Sequence, residues 1–211
     1  MIRSLYNLKC TINTHIKKLP INEKFNLNGI KPILQNYIGT DWYNYKISNS
    51  ANSTLSNNNN YQRIPIYFKD LDKGSYDHYD MYMLVWNPFC HTSIHSHPEG
   101  GCLMKILEGN IVEQRFKNAE SFATIKTLVP NDISYMHDSL GFHRIINNNF
   151  KYAYSLHIYS PALSDDTIEI EEHKNNNVIL KSKINFCQDN DNNNILIENK
   201  KKDNMNDYPI M

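Results

Sequence analysis

The sequence predicts a mainly β, antiparallel structure of closed or sandwich-like form, preceded by short α-helices. From Tyr61 onward short β-rich runs follow one another, separated by loops bearing Gly, Pro, Asn or Asp. The first forty or so residues instead space their apolar positions three or four apart, as amphipathic helices do. Helix and strand patterns do not alternate, which disfavours a parallel α/β architecture.

The elements follow in order. LKCTINTHIKKL and NLNGIKPILQNYI read as short helices, and the texture changes after DWYNY. The strand candidates are then RIPIYF, YDMYMLVWN, HTSIHSH, CLMKILEGNIVEQRF, SFATIKTLV, ISYMHD, FHRIINN, YAYSLHIYS, TIEIEE and VILKSKINF. Asn-rich stretches at 57–60, 147–149, 175–177 and 192–194 fall between apolar segments, where turns and inserted polar loops belong. A chain of 211 residues suits one domain, expected over 1–186, and the polar stretch 187–211 reads as a disordered tail.

Lys plus Arg number 22 and Asp plus Glu number 22, so no cationic field is available to hold nucleic acid or an anionic membrane. The chain has no apolar run of about 18 residues, and its start lacks the apolar core of a signal peptide. A cytoplasmic protein is expected, and monomer is the default because nothing marks an interface. Cys10, Cys90, Cys102 and Cys187 form no C-x-x-C pair of the kind that binds zinc or cycles as a dithiol.

The histidines carry the chemistry. In HTSIHSHPEGGC, His95 and His97 lie two apart, and in a strand such residues share a face. His143, in SLGFHRIIN, lies far enough along for another strand to bring it opposite the pair. Three neutral imidazoles on an enclosed β surface can hold a divalent metal and leave coordination positions open. An isolated H-x-H is more often two strand histidines bonded to neighbours, so the surrounding residues decide.

Those residues are Cys102, five after His97, then Gly109, and later His143-x-x-x-Asn147. Their spacing resembles the two metal motifs of the cupin superfamily, with one departure. Where most cupins place a metal-binding Glu, this chain has Cys102, a change typical of the thiol dioxygenases. The likeness extends to Tyr61-Gln62-Arg63, SIHSH, CLMKILEGN, NDISYMHDSLGFHR, YSLHIYSP and HKNNNVILKSKINF. The chain thus resembles the cysteine dioxygenases over roughly residues 5–186. The fold this resemblance implies is a small antiparallel, jelly-roll-like cupin barrel with N-terminal helices.

The resemblance implies one Fe(II) per chain, held by His95, His97 and His143, with L-cysteine and O2 as small-molecule substrates and cysteine sulfinic acid as product. That reaction would serve cysteine catabolism and supply taurine or sulfate precursors. Arg63 matches the clamp on the substrate carboxylate, and Tyr61 lines the same pocket; a guanidinium can grip a carboxylate through two parallel hydrogen bonds. A random Arg is more often in a rim salt bridge, but the Tyr61-Gln62-Arg63 context favours the clamp. Arg63 also points to cysteine over 3-mercaptopropionate, for which the resemblance implies Gln at this position.

Ser155, His157 and Tyr159 alternate along one strand and match a hydrogen-bond relay that orients substrate and handles a proton. Outside a barrel such alternation more often marks a wet face. Cys102 and Tyr159 match a pair joined by a thioether bond, and Ser160-Pro161 a cis peptide that would aim Tyr159 inward. His91 is expected on the same face as His95, near the pocket mouth, and His137 lies six before the third ligand. His15, His78 and His173 have no constellation around them. The alternatives are a dioxygenase for another small thiol, such as 3-mercaptopropionate or cysteamine, and a non-catalytic metal-binding cupin.

Overall fold

The computed structural model describes residues 1–20, 25–46, 61–72, 78–118, 121–161, 168–172 and 178–182, with the backbone alone at 118, 168–172 and 178–182. His173, Cys187, the expected tail at 187–211 and the Asn stretches at 57–60, 175–177 and 192–194 lie outside the described residues.

The two expected helices form. Helix α1 (Leu5–Lys17) begins where the Ser4 side chain accepts a hydrogen bond from the Asn7 amide, and it buries Leu5, Leu8 and Ile12 along one stripe. Helix α2 (Leu27–Gln35) is capped by Asn26 in the same way and buries Leu27, Ile30 and Leu34. A short 3-10 helix at Asp41–Tyr45 follows, burying Trp42.

Eleven strands are described: β1 (Tyr61–Pro65), β2 (Asp80–Trp86), β3 (Ile94–His95), β4 (Cys102–Glu108), β5 (Ile111–Asn118), β6 (Ser121–Leu128), β7 (Ile133–Met136), β8 (Phe142–Ile146), β9 (Ala153–Tyr159), β10 (Ile168–Glu172) and β11 (Val178–Ser182). They make a five-stranded sheet in the order β1-β2-β9-β4-β7 and a six-stranded sheet in the order β11-β10-β3-β8-β5-β6. The strand pairings within both sheets are antiparallel. Consecutive strands β4 and β5 lie in different sheets, as a jelly-roll-like barrel requires.

The alternation of side chains sorts the five-stranded sheet into two faces. Met81, Met83, Val85, Leu103, Leu156 and Ile158 pack outward against the helices. Leu84, Trp86, Met104, Ile106 and Ala153 point inward and meet Ile111, Leu128 and Ile145 of the six-stranded sheet. Burying each of the Leu, Ile, Val and Met side chains contributes roughly 1.5–3 kcal/mol. The inner layer of the barrel is the layer on which the site is built.

Lys105 interrupts the apolar run CLMKILE yet is 1% exposed. Its ammonium donates to the carbonyls of Leu34 at 3.1 Å and Tyr37 at 2.5 Å, so a cation closes the C-terminal end of α2 against the sheet. Asn147, expected in a polar loop, is fully buried between β8 and β9. Its amide donates to the carbonyls of Trp86, Asn87 and Lys151, tying three chain segments together. Among the described residues no helix is long and apolar enough to cross a membrane.

Candidate metal centre and its pocket

The expected histidines converge. His95 ends β3 and pairs directly with His143 on β8, so both rings point into the barrel. One nitrogen of each of His95, His97 and His143 lies within 4.8 Å of the others. The ring centroids are 4.5 to 5.0 Å apart. The strand argument for His97 needs correction: β3 stops at His95, and His97 reaches the cluster from the loop that follows. That loop is held where the His97 amide donates to Asp138 at 2.8 Å.

The hydrogen bonds behind these rings set their tautomers. His95 Nδ1 sits 3.0 Å from the Ser93 carbonyl, which can only accept, so Nδ1 carries the proton. His143 Nδ1 lies 2.9 Å from Glu113 Oε1, a carboxylate oxygen that likewise accepts. Both rings therefore turn bare Nε2 lone pairs inward, and these two atoms are 3.2 Å apart. Two lone pairs at that distance repel unless a cation lies against them, so the donor set fits a divalent metal bound through imidazole nitrogen.

Glu113 was not legible as a site residue. It is 2% exposed on β5, where Arg115 Nη2 contacts both its oxygens at 3.2 Å and the Ser134 hydroxyl donates at 2.9 Å. The available signal was the alternation Ile111, Glu113, Arg115, which places two charged residues on the face of a core aliphatic.

The five-stranded sheet supplies the opposite wall. Cys102 and Tyr159 are direct cross-strand partners on β4 and β9, and both are buried. Gly101, at φ +85°, immediately precedes β4, where an added Cβ would lie 2.4 Å from the Met136 carbonyl. Along β9, the His157 ring bridges the Ser155 hydroxyl at 2.8 Å and the Tyr159 hydroxyl at 3.2 Å. Trp86 Nε1 donates to Ser155 Oγ at 2.7 Å, and Cys102 Sγ lies 3.6 Å from His157 Nδ1. The expected relay is thus connected and buried. The peptide bond Ser160-Pro161 is cis.

Arg63, on β1, faces the same interior. Its guanidinium carbon lies 5.7 Å from the ring centroids of both Tyr82 and Tyr159, while its buried Nε has no hydrogen-bond partner. The Tyr61 ring packs at a tilt against Trp86, with centroids 4.9 Å apart. His91 is exposed and its Nδ1 bonds the Thr92 carbonyl, so it does not join the triad. His137 is also outside it, bonding the Glu99 carbonyl and Ser139. His15 and His78 remain apart from the cluster.

Burial shapes the titration here. It pushes His97, His143 and His157 well below the ordinary histidine value, helped by neighbouring histidines or cations. Burial also pushes the Cys102 thiol up to about 12 and the Tyr159 phenol well above its usual range. Burial alone would lower the Arg63 value, but its neighbours Tyr159, Tyr61, Tyr82 and Cys102 outweigh this and the net direction is upward.

A stability prediction follows from the three imidazoles. They stay neutral in the fold, whereas the unfolded chain protonates its histidines below about pH 6.5. Between that value and the depressed folded values the unfolded state binds more protons, so stability falls as pH falls. The slope reaches about 1.4 kcal/mol per pH unit for each histidine. The urea midpoint of metal-free protein is expected to drop on going from about pH 7.5 to about pH 5.5. An unchanged midpoint would contradict neutral burial.

Comparison with known proteins agrees with this geometry. A family model described as cysteine dioxygenase type I matches residues 43–170, a narrower span than the 5–186 over which the motifs were read. Cysteine dioxygenase type 1 of Rattus norvegicus is 36% identical over 98 residues, covering 43% of this chain and 48% of that protein. The Homo sapiens protein of that name is 33% identical with the same coverage, and the Danio rerio one is 32% identical over 99 residues, covering 43% and 49%. The chain therefore spans about half the length of the curated relatives it matches.

Among solved structures, a protein with a double-stranded β-helix domain from Klebsiella pneumoniae superposes with TM-score 0.39 at 14% identity, over 60% of this chain and 88% of that one. That superposition adds nothing to the strand pairing described above. With the family model matched over more than half of its residues, the chain belongs to the cysteine dioxygenase type I family.

Proposed function

We propose that this protein is a non-haem iron thiol dioxygenase that converts L-cysteine and O2 to cysteine sulfinic acid. The observation that carries the reading is Arg63: a half-buried cation whose Nε is buried and unpartnered, on the wall facing the three clustered imidazoles. Such a group calls for an anion of fixed geometry, and the carboxylate of an amino acid is a planar match. Family membership supplies the thiol and the O2 chemistry.

Ferrous iron at His95, His97 and His143 would supply a place where a thiolate and O2 meet and exchange electrons. Arg63, with Tyr61 beside it, holds the cysteine carboxylate and so aims its sulfur toward the triad. The thiol and both oxygen atoms account for the whole product, so no outside reductant enters.

Tyr159 sets its hydroxyl at the substrate side and His157 backs it. Neutral His157 can present either ring nitrogen as donor, with Ser155 taking the complementary part while Trp86 keeps its own donation. The relay therefore keeps a proton on the Tyr159 oxygen, where it can be donated to charge that develops on the oxidised sulfur. The apolar inner wall of Leu84, Trp86 and Ile106 excludes bulk water from this exchange.

The direct pairing of Cys102 with Tyr159 supports a thioether between Sγ and the phenol ring. Forming it removes the thiol hydrogen and one ring hydrogen, with O2 accepting the two electrons. The whole reading is tested by offering L-cysteine, 3-mercaptopropionate and cysteamine to the iron-loaded protein. Selective sulfinate from cysteine is expected, with a protein fraction lighter by two hydrogens after turnover. Preference for another thiol would move the substrate, and no oxidation of any thiol would favour a non-catalytic metal-binding cupin.

A further inference from the structure

Beyond fixing the His143 tautomer, Glu113 takes no part in the proposed reaction, yet three side chains converge on it. It is buried at 2% exposure, its Oε1 lies 2.9 Å from His143 Nδ1, and both oxygens are held by Arg115 and Ser134. The strands enforce this arrangement. Arg115 on β5 pairs directly with His143 on β8, and Glu113, two residues back, shares that inward face. Ser134 approaches from β7 in the other sheet, and Arg115 also donates to the Tyr135 carbonyl there at 2.9 Å. The barrel edge between β5 and β7 is thus closed by side chains that converge on one carboxylate.

We propose that Glu113 is a positioning residue that sets the tautomer and donor strength of His143, with Arg115 moderating its negative charge. This rests on the metal-centre reading. Accepting the Nδ1 hydrogen leaves Nε2 as the inward donor, and the carboxylate makes that imidazole more electron-rich. An electron-rich ligand favours the more oxidised metal, so Glu113 lowers the reduction potential of a bound iron. Arg115 opposes it, because its cation offsets the carboxylate and also repels added positive charge at the metal.

The two residues therefore make predictions of opposite sign. Glu113→Gln keeps the shape and removes the charge; Fe(II) affinity, read by competition with a chelator, is expected to fall roughly 10- to 100-fold. The reduction potential of the bound iron, read by spectroelectrochemistry, is expected to rise. In Arg115→Met the carboxylate loses its counter-ion, and the potential is expected to fall. A purely structural role would loosen His143 in both variants and move both potentials the same way.

Potentials shifted in one shared direction, or a Glu113→Gln protein with unchanged affinity and potential, would overturn the proposal. If Glu113→Gln does not fold by circular dichroism, the Arg115→Met potential decides alone: a fall supports the proposal, and no change or a rise overturns it. Wild-type protein that binds no iron would instead overturn the metal centre itself, and this proposal with it.

Discussion

Replacing His143 by Ala is expected to abolish iron retention and thiol oxidation while leaving the fold in place. The ring is one of three inward donors, and its removal leaves two nitrogens on one short stretch of chain, His95 and His97. The loss of affinity should exceed the roughly 10- to 100-fold that accompanies loss of an outer partner. Folding should survive because Glu113 keeps its bonds to Arg115 and Ser134, so no charge is stranded in the interior. Metal analysis after gel filtration, with circular dichroism alongside, checks both halves. Stoichiometric iron in the variant would remove His143 from the ligand set. The metal-free variant should also lose stability less steeply on acidification, since one buried neutral imidazole is gone.

The second large effect is expected at Arg63. Truncation to Ala removes the Arg63 cation and leaves a bound carboxylate facing the rings of Tyr82 and Tyr159. Stranding one member of a buried charged pair costs about 2–5 kcal/mol, so kcat/KM for L-cysteine should fall by roughly thirty-fold or more. Iron content should stay at the wild-type level. Cysteamine, which has no carboxylate, should be oxidised by the variant no worse than by the parent. Cysteine kinetics unchanged by the substitution would take the clamp away from Arg63, and an equal loss with cysteamine would point to general damage of the pocket.

Much of this site is legible in the sequence. The i, i+2 spacing of His95 and His97 and the alternation of Ser155, His157 and Tyr159 are local patterns, and period-2 geometry converts them directly into shared faces. The helix and strand order was legible because the apolar period changes near Tyr61. What escaped was whatever depends on a partner far along the chain. Glu113 gains its meaning from His143, 30 residues away, and from Ser134 in the opposite sheet. Both faces of IVEQRF are mixed, so alternation alone could not say which one turns inward.

Buried Lys105 and Asn147 escaped for the same reason. Each is acceptable inside because backbone carbonyls from other segments meet it, and no local pattern reveals those acceptors. His97 shows the converse. It reaches its predicted place, but through a loop held by Asp138 instead of through the strand that the spacing suggested.

The most direct test of the central claim is turnover of L-cysteine by the ferrous-loaded protein under 18O2, with the product resolved by mass. Sulfinate carrying both labelled atoms, formed with one O2 consumed per cysteine, is the predicted result. Disulfide or sulfinate bearing oxygen from water, or iron-loaded protein that consumes no O2 with cysteine, would contradict it.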